Sequence, residues 1–245
     1  MRKRRRKGIS KIILTVDVGG SKVKVMTNRF CERREFSSGS QLSAKTMVKK
    51  VKDLTQDWSY DVISLGYPGP VLRNRPIAEP YNLGHGWAGF NFTRAFGRPT
   101  RVINDALMQA LGNYKGGRML FLGFGTGMGS AMILDGVLQP MEIGHLPYRK
   151  SKTFEDHVGA AGMKRLGKEK WRREVANVVE LLAAALQPEY IVLGGGNAKE
   201  LEHLPLRTRR GKNEGAFVGG FRLWETDINQ RPIKGARTKA QALKI

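Results

Sequence analysis

The chain has 245 residues, 40% of them apolar, and 43 Lys and Arg against 21 Asp and Glu give it a formal charge of +22. Such a length and apolar content suffice to bury a core, in one domain or two small lobes, and exclude a disordered tail protein. No apolar run approaches the roughly 20 residues of a membrane helix, no secretory pattern follows MRKRRRKG, and the single cysteine, Cys31, excludes a disulfide framework or a cysteine-rich zinc site within one chain. A cytoplasmic protein is expected. The positive balance would draw a polyanion, but nucleic acid, an anionic membrane surface and inorganic polyphosphate all answer to it, and basicity also serves plain solubility.

Arg2 to Lys7 is an unbroken basic run, read as a solvated, mobile tail that precedes the fold. From Lys11, KIILTVDVGGSKVKVMTNRF reads as a strand ending near Asp17, a tight turn at Gly19, Gly20 and Ser21, and a second strand in which Val23 and Val25 alternate with Lys22 and Lys24. Met47, Val48, Val51, Leu54 and Trp58 recur at helical spacing between Gln41 and Trp58. VISLGYPGP reads as a buried strand running into a Gly/Pro loop, and 71–91 has no period, which in a compact domain marks a functional loop. RVINDALMQALGNY is a strand passing into a helix that Asn104 and Asp105 are placed to cap.

The opening device returns after Gly117. MLFLGFGTGMGSAMILDGVL is again strand, glycine turn and strand, so the chain contains the same unit twice. A helix follows over Glu169 to Leu186, with Trp171, Val175, Val178, Val179, Leu182 and Leu186 on one face. PEYIVLGGGNAKEL then reads as strand, glycine turn and helix start, a form suited to an anion at a helix N-terminus. From Thr226 the chain is polar and basic, and little order is expected there.

A glycine turn presenting successive N–H groups can cradle a phosphate, though each turn taken alone reads first as an ordinary hairpin. Two in corresponding places, with a third at Gly194 to Gly196, point to a phosphate donor held between two lobes. There is no GxxxxGK[ST] loop, and GGSKVK leads into a strand where a dinucleotide fold needs a helix. Phosphoryl transfer to a hydroxyl requires a carboxylate at the acceptor oxygen, a role Asp105 fits while it also caps a helix. Between Met141 and Gly159, Glu142, His145, Glu155 and His157 gather as a metal box would; His157 reads as an ordinary surface or interface histidine.

In order along the chain, VDVGGSKVKV, GYPGPV, NLGHGW, VINDA, LGFGTGMGSAMILDG, EIGH and IVLGGG resemble the motifs of the ROK sugar kinases, and within them those of the polyphosphate-using glucokinases. The resemblance runs from about Ile12 to about Trp224. It implies an α/β, two-lobed, actin-like (ribonuclease H-like) fold with duplicated sheets, divided as a basic tail over 1–10, an N-terminal lobe over 11–115, a C-terminal lobe over 116–225 and a polar basic tail over 226–245. It implies a glucokinase that moves a phosphoryl group from polyphosphate, ATP or both to the 6-hydroxyl of glucose, with mannose left open. Carried over, Asp105 is the general base and Asn104, Glu142, His145, Glu155 and Gly66 serve the sugar. Asp17, Gly19, Gly20, Ser21, Lys22, Gly125, Thr126, Gly127, Gly194, Gly195 and Gly196 surround the donor phosphates, and Asp17 orients Mg²⁺ through water.

Many ROK members carry a three-cysteine zinc segment after the Glu-His box. Here LPYRKSKTFEDHVG stands in its place, so no structural zinc is expected. Arg149, Lys150, Lys152, Lys164, Arg165 and Lys168 are candidates to follow a polyphosphate chain, or a plain solvated face. A homodimer is expected from the resemblance alone. The alternative is a sugar-sensing regulator or basic nucleic-acid-binding protein; the regulators add an N-terminal helix-turn-helix that a first strand at about Lys11 does not accommodate, and nucleic-acid binding, if present, is expected to be nonspecific.

Overall fold

A computed structural model describes residues 11–30, 32–212 and 214–225. The basic run at Arg2 to Lys7, Cys31 and the segment from Thr226 lie outside the described residues.

Two five-stranded sheets with the same strand pattern form the molecule. The first has β1 (Ile13–Val18), β2 (Lys22–Thr27), β3 (Arg33–Ser37), β4 (Val62–Tyr67) and, beyond a two-stranded hairpin of β5 (Val71–Leu72) and β6 (Arg75–Pro76), β7 (Thr100–Asn104); its order is β3-β2-β1-β4-β7. The second has β8 (Arg118–Phe124), β9 (Met128–Leu134), β10 (Val137–Met141), β11 (Tyr190–Gly194) and β12 (Thr208–Arg210), in the order β10-β9-β8-β11-β12. In each, a hairpin and a third antiparallel strand precede two parallel strands. The repeated glycine turn implied a unit present twice, and the arrangement is the duplicated actin-like one that the resemblance implied.

Burial follows sequence pattern. β4, VISLGY, is buried throughout and sits between parallel neighbours, where both faces are covered. β2, KVKVMT, buries only its Val and Thr positions, as alternation demands of a strand with one wet face. The helices are α1 (Ala44–Leu54), α2 (Phe92–Phe96), α3 (Asp105–Asn113), α4 (Phe154–Val158), α5 (Ala160–Leu166), α6 (Lys168–Leu186) and α7 (Gly215–Arg222). Ser43 caps α1 by accepting from Thr46 N, and Met47, Val48 and Val51 are buried on the first sheet's core; each such side chain contributes about 1.5–3 kcal/mol. Trp171, Val175, Val178, Val179 and Leu182 of α6 do the same for the second.

The C-terminal helix α7 follows the second sheet in sequence but packs on α3 and on β1 of the first. Ser64 Oγ donates to Gly220 O at 2.5 Å, and Arg222 Nη1 donates to Leu111 O at 2.9 Å. The crossing is close because glycine meets backbone: a Cβ on Gly112 would overlap Gly215 O, and one on Gly219 would overlap Met108 O.

Three sequence expectations differ from the structure. The segment after β11 is a 3₁₀ turn over Gly196–Glu200, held by bonds from Ala198 N to Gly195 O and from Leu201 N to Ala198 O, so it offers no α-helical N-terminus to an anion. The unperiodic stretch 71–91 contains the β5/β6 hairpin. His157 is buried rather than on the surface, because Tyr148 folds over it edge-on at 5.2 Å.

Candidate active site

The parallel strands of both sheets end at one cleft, a cavity of about 740 Å³. In the first sheet Asp17 lies opposite Gly66, Gly66 opposite Ile103 and Tyr67 opposite Asn104, so Asp17 and Asn104 share an edge, the carboxyl end where open α/β sheets bind ligands. The turns Gly19-Gly20-Ser21 and Gly125-Thr126-Gly127 face each other across the cavity, with Gly195 and Gly196 beside the second. Asn197 Nδ2 donates to Gly125 O at 2.9 Å and ties the third turn to the second.

Asn104 is the N-cap of α3: its Oδ1 accepts from Leu107 N at 3.0 Å, and its Nδ2 donates to Gly69 O at 3.3 Å and to Glu142 Oε1 at 3.2 Å. Asp105, the first residue of α3, accepts from Ala106 N at 2.7 Å. Burial, then the neighbouring charge of Asp17, pushes its carboxyl up to about 8, with Glu142 adding in the same direction. Burial also raises Asp17, against the pull of Lys24. Glu142 is raised by burial, which outweighs His145.

The second half of the site comes from the Met141–Gly159 segment. A 3₁₀ turn over Ile143–His145 follows Glu142 and sets His145 Nε2 3.7 Å from Glu142 Oε2. Glu155, in α4, accepts from Met128 N at 3.0 Å. Its carboxylate occupies the space that a Cβ on Gly127 would need, so that glycine makes room for Glu155.

A compact hairpin stands where a cysteine segment would. Tyr148 stacks on Phe154 at 4.7 Å, Pro147 bridges Thr153, and Thr153 and Asp156 form a reciprocal capping box that starts α4. Aromatic stacking and capping thus aim Glu155 at the cleft.

Every residue assigned to the sugar or the donor phosphates lines this cavity except Gly66 and Gly194, and of the basic candidates for a polyphosphate chain, Arg149, Lys150, Lys152, Lys164, Arg165 and Lys168, none lines it. Gly66 is buried in β4, where a Cβ would strike Met108 of α3 and come within 3.4 Å of Asp105 Cα; it sets how close α3 approaches the sheet. Gly194 ends β11 against the Phe121 ring. Lys22 lines the cavity, but its ammonium is paired with Glu35. Lys24, Tyr81 and Asn197 were given no role from sequence and also line it, as does Asn82, which opens the NLGHGW motif. Lys24 was legible, since alternation in β2 puts it on the face of Lys22 and the register puts it opposite Asp17. Tyr81 carried only a weak signal, an aromatic among prolines in a loop without period.

Among the described residues no cluster of three or more His, Cys, Asp or Glu side chains is placed to hold a metal ion. Mg²⁺ asks for less: it keeps waters and shares phosphate oxygens, needing one or two carboxylates. Asp17 fits that demand, a carboxyl held among the glycine turns that would bring the phosphates.

No protein-family model matches the chain. A polyphosphate glucokinase of Mycobacterium tuberculosis is 25% identical over 217 residues, covering 80% of this chain and 82% of the relative. The inorganic polyphosphate/ATP-glucomannokinase of Arthrobacter sp. strain KM superimposes with a TM-score of 0.75 at 24% identity, over 87% of this chain and 98% of that one. A ROK-family glucokinase of Streptomyces griseus, solved with glucose and AMPPNP, gives a TM-score of 0.72 at 15% identity, over 86% and 98%. The fold is that of the ROK sugar kinases. In sequence the chain is similar to the polyphosphate glucokinases in particular.

Proposed function

We propose that the protein is a glucokinase that transfers a phosphoryl group from polyphosphate, ATP or both to the 6-hydroxyl of glucose. The observation that carries this reading is the position of Asp105: a carboxyl raised to about 8, at the start of α3, between the glycine turns and the Glu142, His145 and Glu155 group. A base with an affinity near neutrality balances readiness to accept a proton against the fraction already ionised.

In this mechanism Glu142, His145 and Glu155 bind the ring hydroxyls and leave the 6-hydroxyl toward Asp105. Asn104 reaches the sugar only through its amide N–H, in exchange for one of its bonds to Gly69 O and Glu142 Oε1, because its oxygen caps α3. Asp105 takes the hydroxyl proton as the oxygen attacks the terminal phosphorus, and the phosphoanhydride bond breaks to release a chain shorter by one phosphate, or ADP. The N–H groups of the Gly19 and Gly125 turns cradle the donor, and Lys24, which already acts on Asp17, offsets its charge there. Mg²⁺ held by Asp17 would neutralise phosphate charge. Fixed groups and positioning supply most of the acceleration in such transfers.

A cytoplasmic location, read from the composition, and a homodimer, supported by the resemblance alone, belong to the same reading. The test is formation of glucose 6-phosphate from glucose, Mg²⁺ and polyphosphate with nucleotide rigorously absent, run beside ATP alone. Product from polyphosphate supports the donor assignment; product from ATP only removes polyphosphate, and none from either refutes the kinase.

A further inference from the structure

Tyr81 is 88% exposed, although the segment carrying it is firmly held. Tyr67 Oη donates to Ala78 O at 2.7 Å, the Glu79 carboxylate accepts from Trp87 N at 3.1 Å and Ala88 N at 3.2 Å, and Pro80 and Leu83 are buried. A large ring on an anchored segment is displayed to the cleft rather than left over from a wandering loop. It stacks on the His145 imidazole, centroids 5.8 Å apart and planes at 25°. Tyr81 stands on the first-sheet side and His145 on the second, so the pair spans the cleft.

The residues assigned above to the sugar are all hydrogen-bonding groups. They read hydroxyls at the edge of a pyranose, whereas its faces present C–H bonds that gain from an apolar partner. Small-ligand sites pair a few polar groups with apolar and aromatic walls, and an aromatic side chain brings a large contact area with a polar tip. Tyr81 is an exposed ring beside His145 and next to Asn82 on the cavity wall.

The geometry points to Tyr81 as a sugar-binding residue whose ring covers the C–H face of the hexose and closes the sugar end of the cleft against water. This rests on the sugar-kinase reading. Where the cover is missing, water competes with the 6-hydroxyl: it gives its proton to Asp105, its oxygen bonds to the terminal phosphorus, the anhydride bond breaks and inorganic phosphate is released in place of sugar phosphate.

The experiment compares wild type, Tyr81→Ala and Tyr81→Phe, measuring KM and kcat for glucose at saturating donor, KM for donor, phosphate released per sugar phosphate, and melting temperature. Losing an aromatic contact should raise the glucose KM of Tyr81→Ala about 3- to 12-fold, raise the phosphate ratio, and leave donor KM and melting temperature unchanged. Tyr81→Phe keeps the ring and should behave as wild type. A glucose KM within twofold of wild type in Tyr81→Ala, or equal losses in both variants, overturns the assignment. If wild type forms no sugar phosphate, the kinase reading itself fails. Calorimetric titration of wild type and Tyr81→Ala with glucose then decides: weaker binding by the variant keeps Tyr81 as a sugar residue, and equal or absent binding overturns it.

Discussion

The amide of Asn104 donates to the Glu142 carboxylate at 3.2 Å and so joins the end of a first-sheet strand to the residue that follows β10 of the second. The same side chain caps α3 through Leu107 N, which fixes Asp105 next to it. One residue thus couples the placement of the base to the placement of the sugar group.

Asn104→Ala removes both functions. Loss of the cap should cost about 1 kcal/mol, lowering the melting temperature by about 2–4 °C for a chain of this size, and glucose turnover should fall much further than that modest loss explains. Thermal denaturation beside steady-state kinetics checks it; a variant with near-normal kcat/KM for glucose would show that the link does not serve the site.

Asp105 should weaken the fold as pH rises. Its carboxyl holds a proton up to about 8 in the folded protein but only to about 3.9 when unfolded. Between those values the folded state binds more protons, so this contribution to stability is present in acid and lost as pH climbs through 8. Asp105→Asn has no such loss and should melt higher than wild type, by a margin that grows from pH 5.5 to pH 8.5. A margin that is constant or shrinks over this range would mean the carboxyl is not raised.

Gly127→Ala should act on the sugar before the donor. The added Cβ intrudes on the Glu155 carboxylate rather than on the phosphate side, so the glucose KM should rise about tenfold or more, on the order of one lost charge-assisted hydrogen bond, with the donor KM little changed. A selective rise in donor KM would return Gly127 to the phosphate cradle alone.

Gly112→Ala tests the return of α7 onto the first sheet. Its methyl group would meet the Gly215 backbone, which has no side chain to swing aside, and overpacking of this kind costs about 1–3 kcal/mol. Chemical denaturation should show a lower midpoint with an unchanged slope; an unaltered midpoint would show that the crossing relaxes freely.

Local chemistry made much of the site readable from sequence. The Gly19 and Gly125 turns stood between alternating or apolar runs, and Asn104 and Asp105 stood where a buried strand becomes an amphipathic helix, so each could be placed from its neighbours. Other parts depended on distant contacts. β3, RREFS, is a charged edge strand recognisable only beside β2. GAFVGGFR forms α7 against its glycine content because those glycines permit close packing on α3. His157 is covered edge-on by Tyr148, Gly66 lies outside the cavity lining and packs against Met108, and Tyr81 acquires meaning only when the two sheets bring His145 to it.

The most direct test of the central claim is glucose 6-phosphate formation by Asp105→Asn under the donor conditions that support wild type. The substitution keeps the shape and removes the proton acceptor, and turnover should fall by about 10²- to 10⁴-fold while circular dichroism and glucose binding are retained. A folded, glucose-binding Asp105→Asn protein that turns over within a few-fold of wild type would contradict the account.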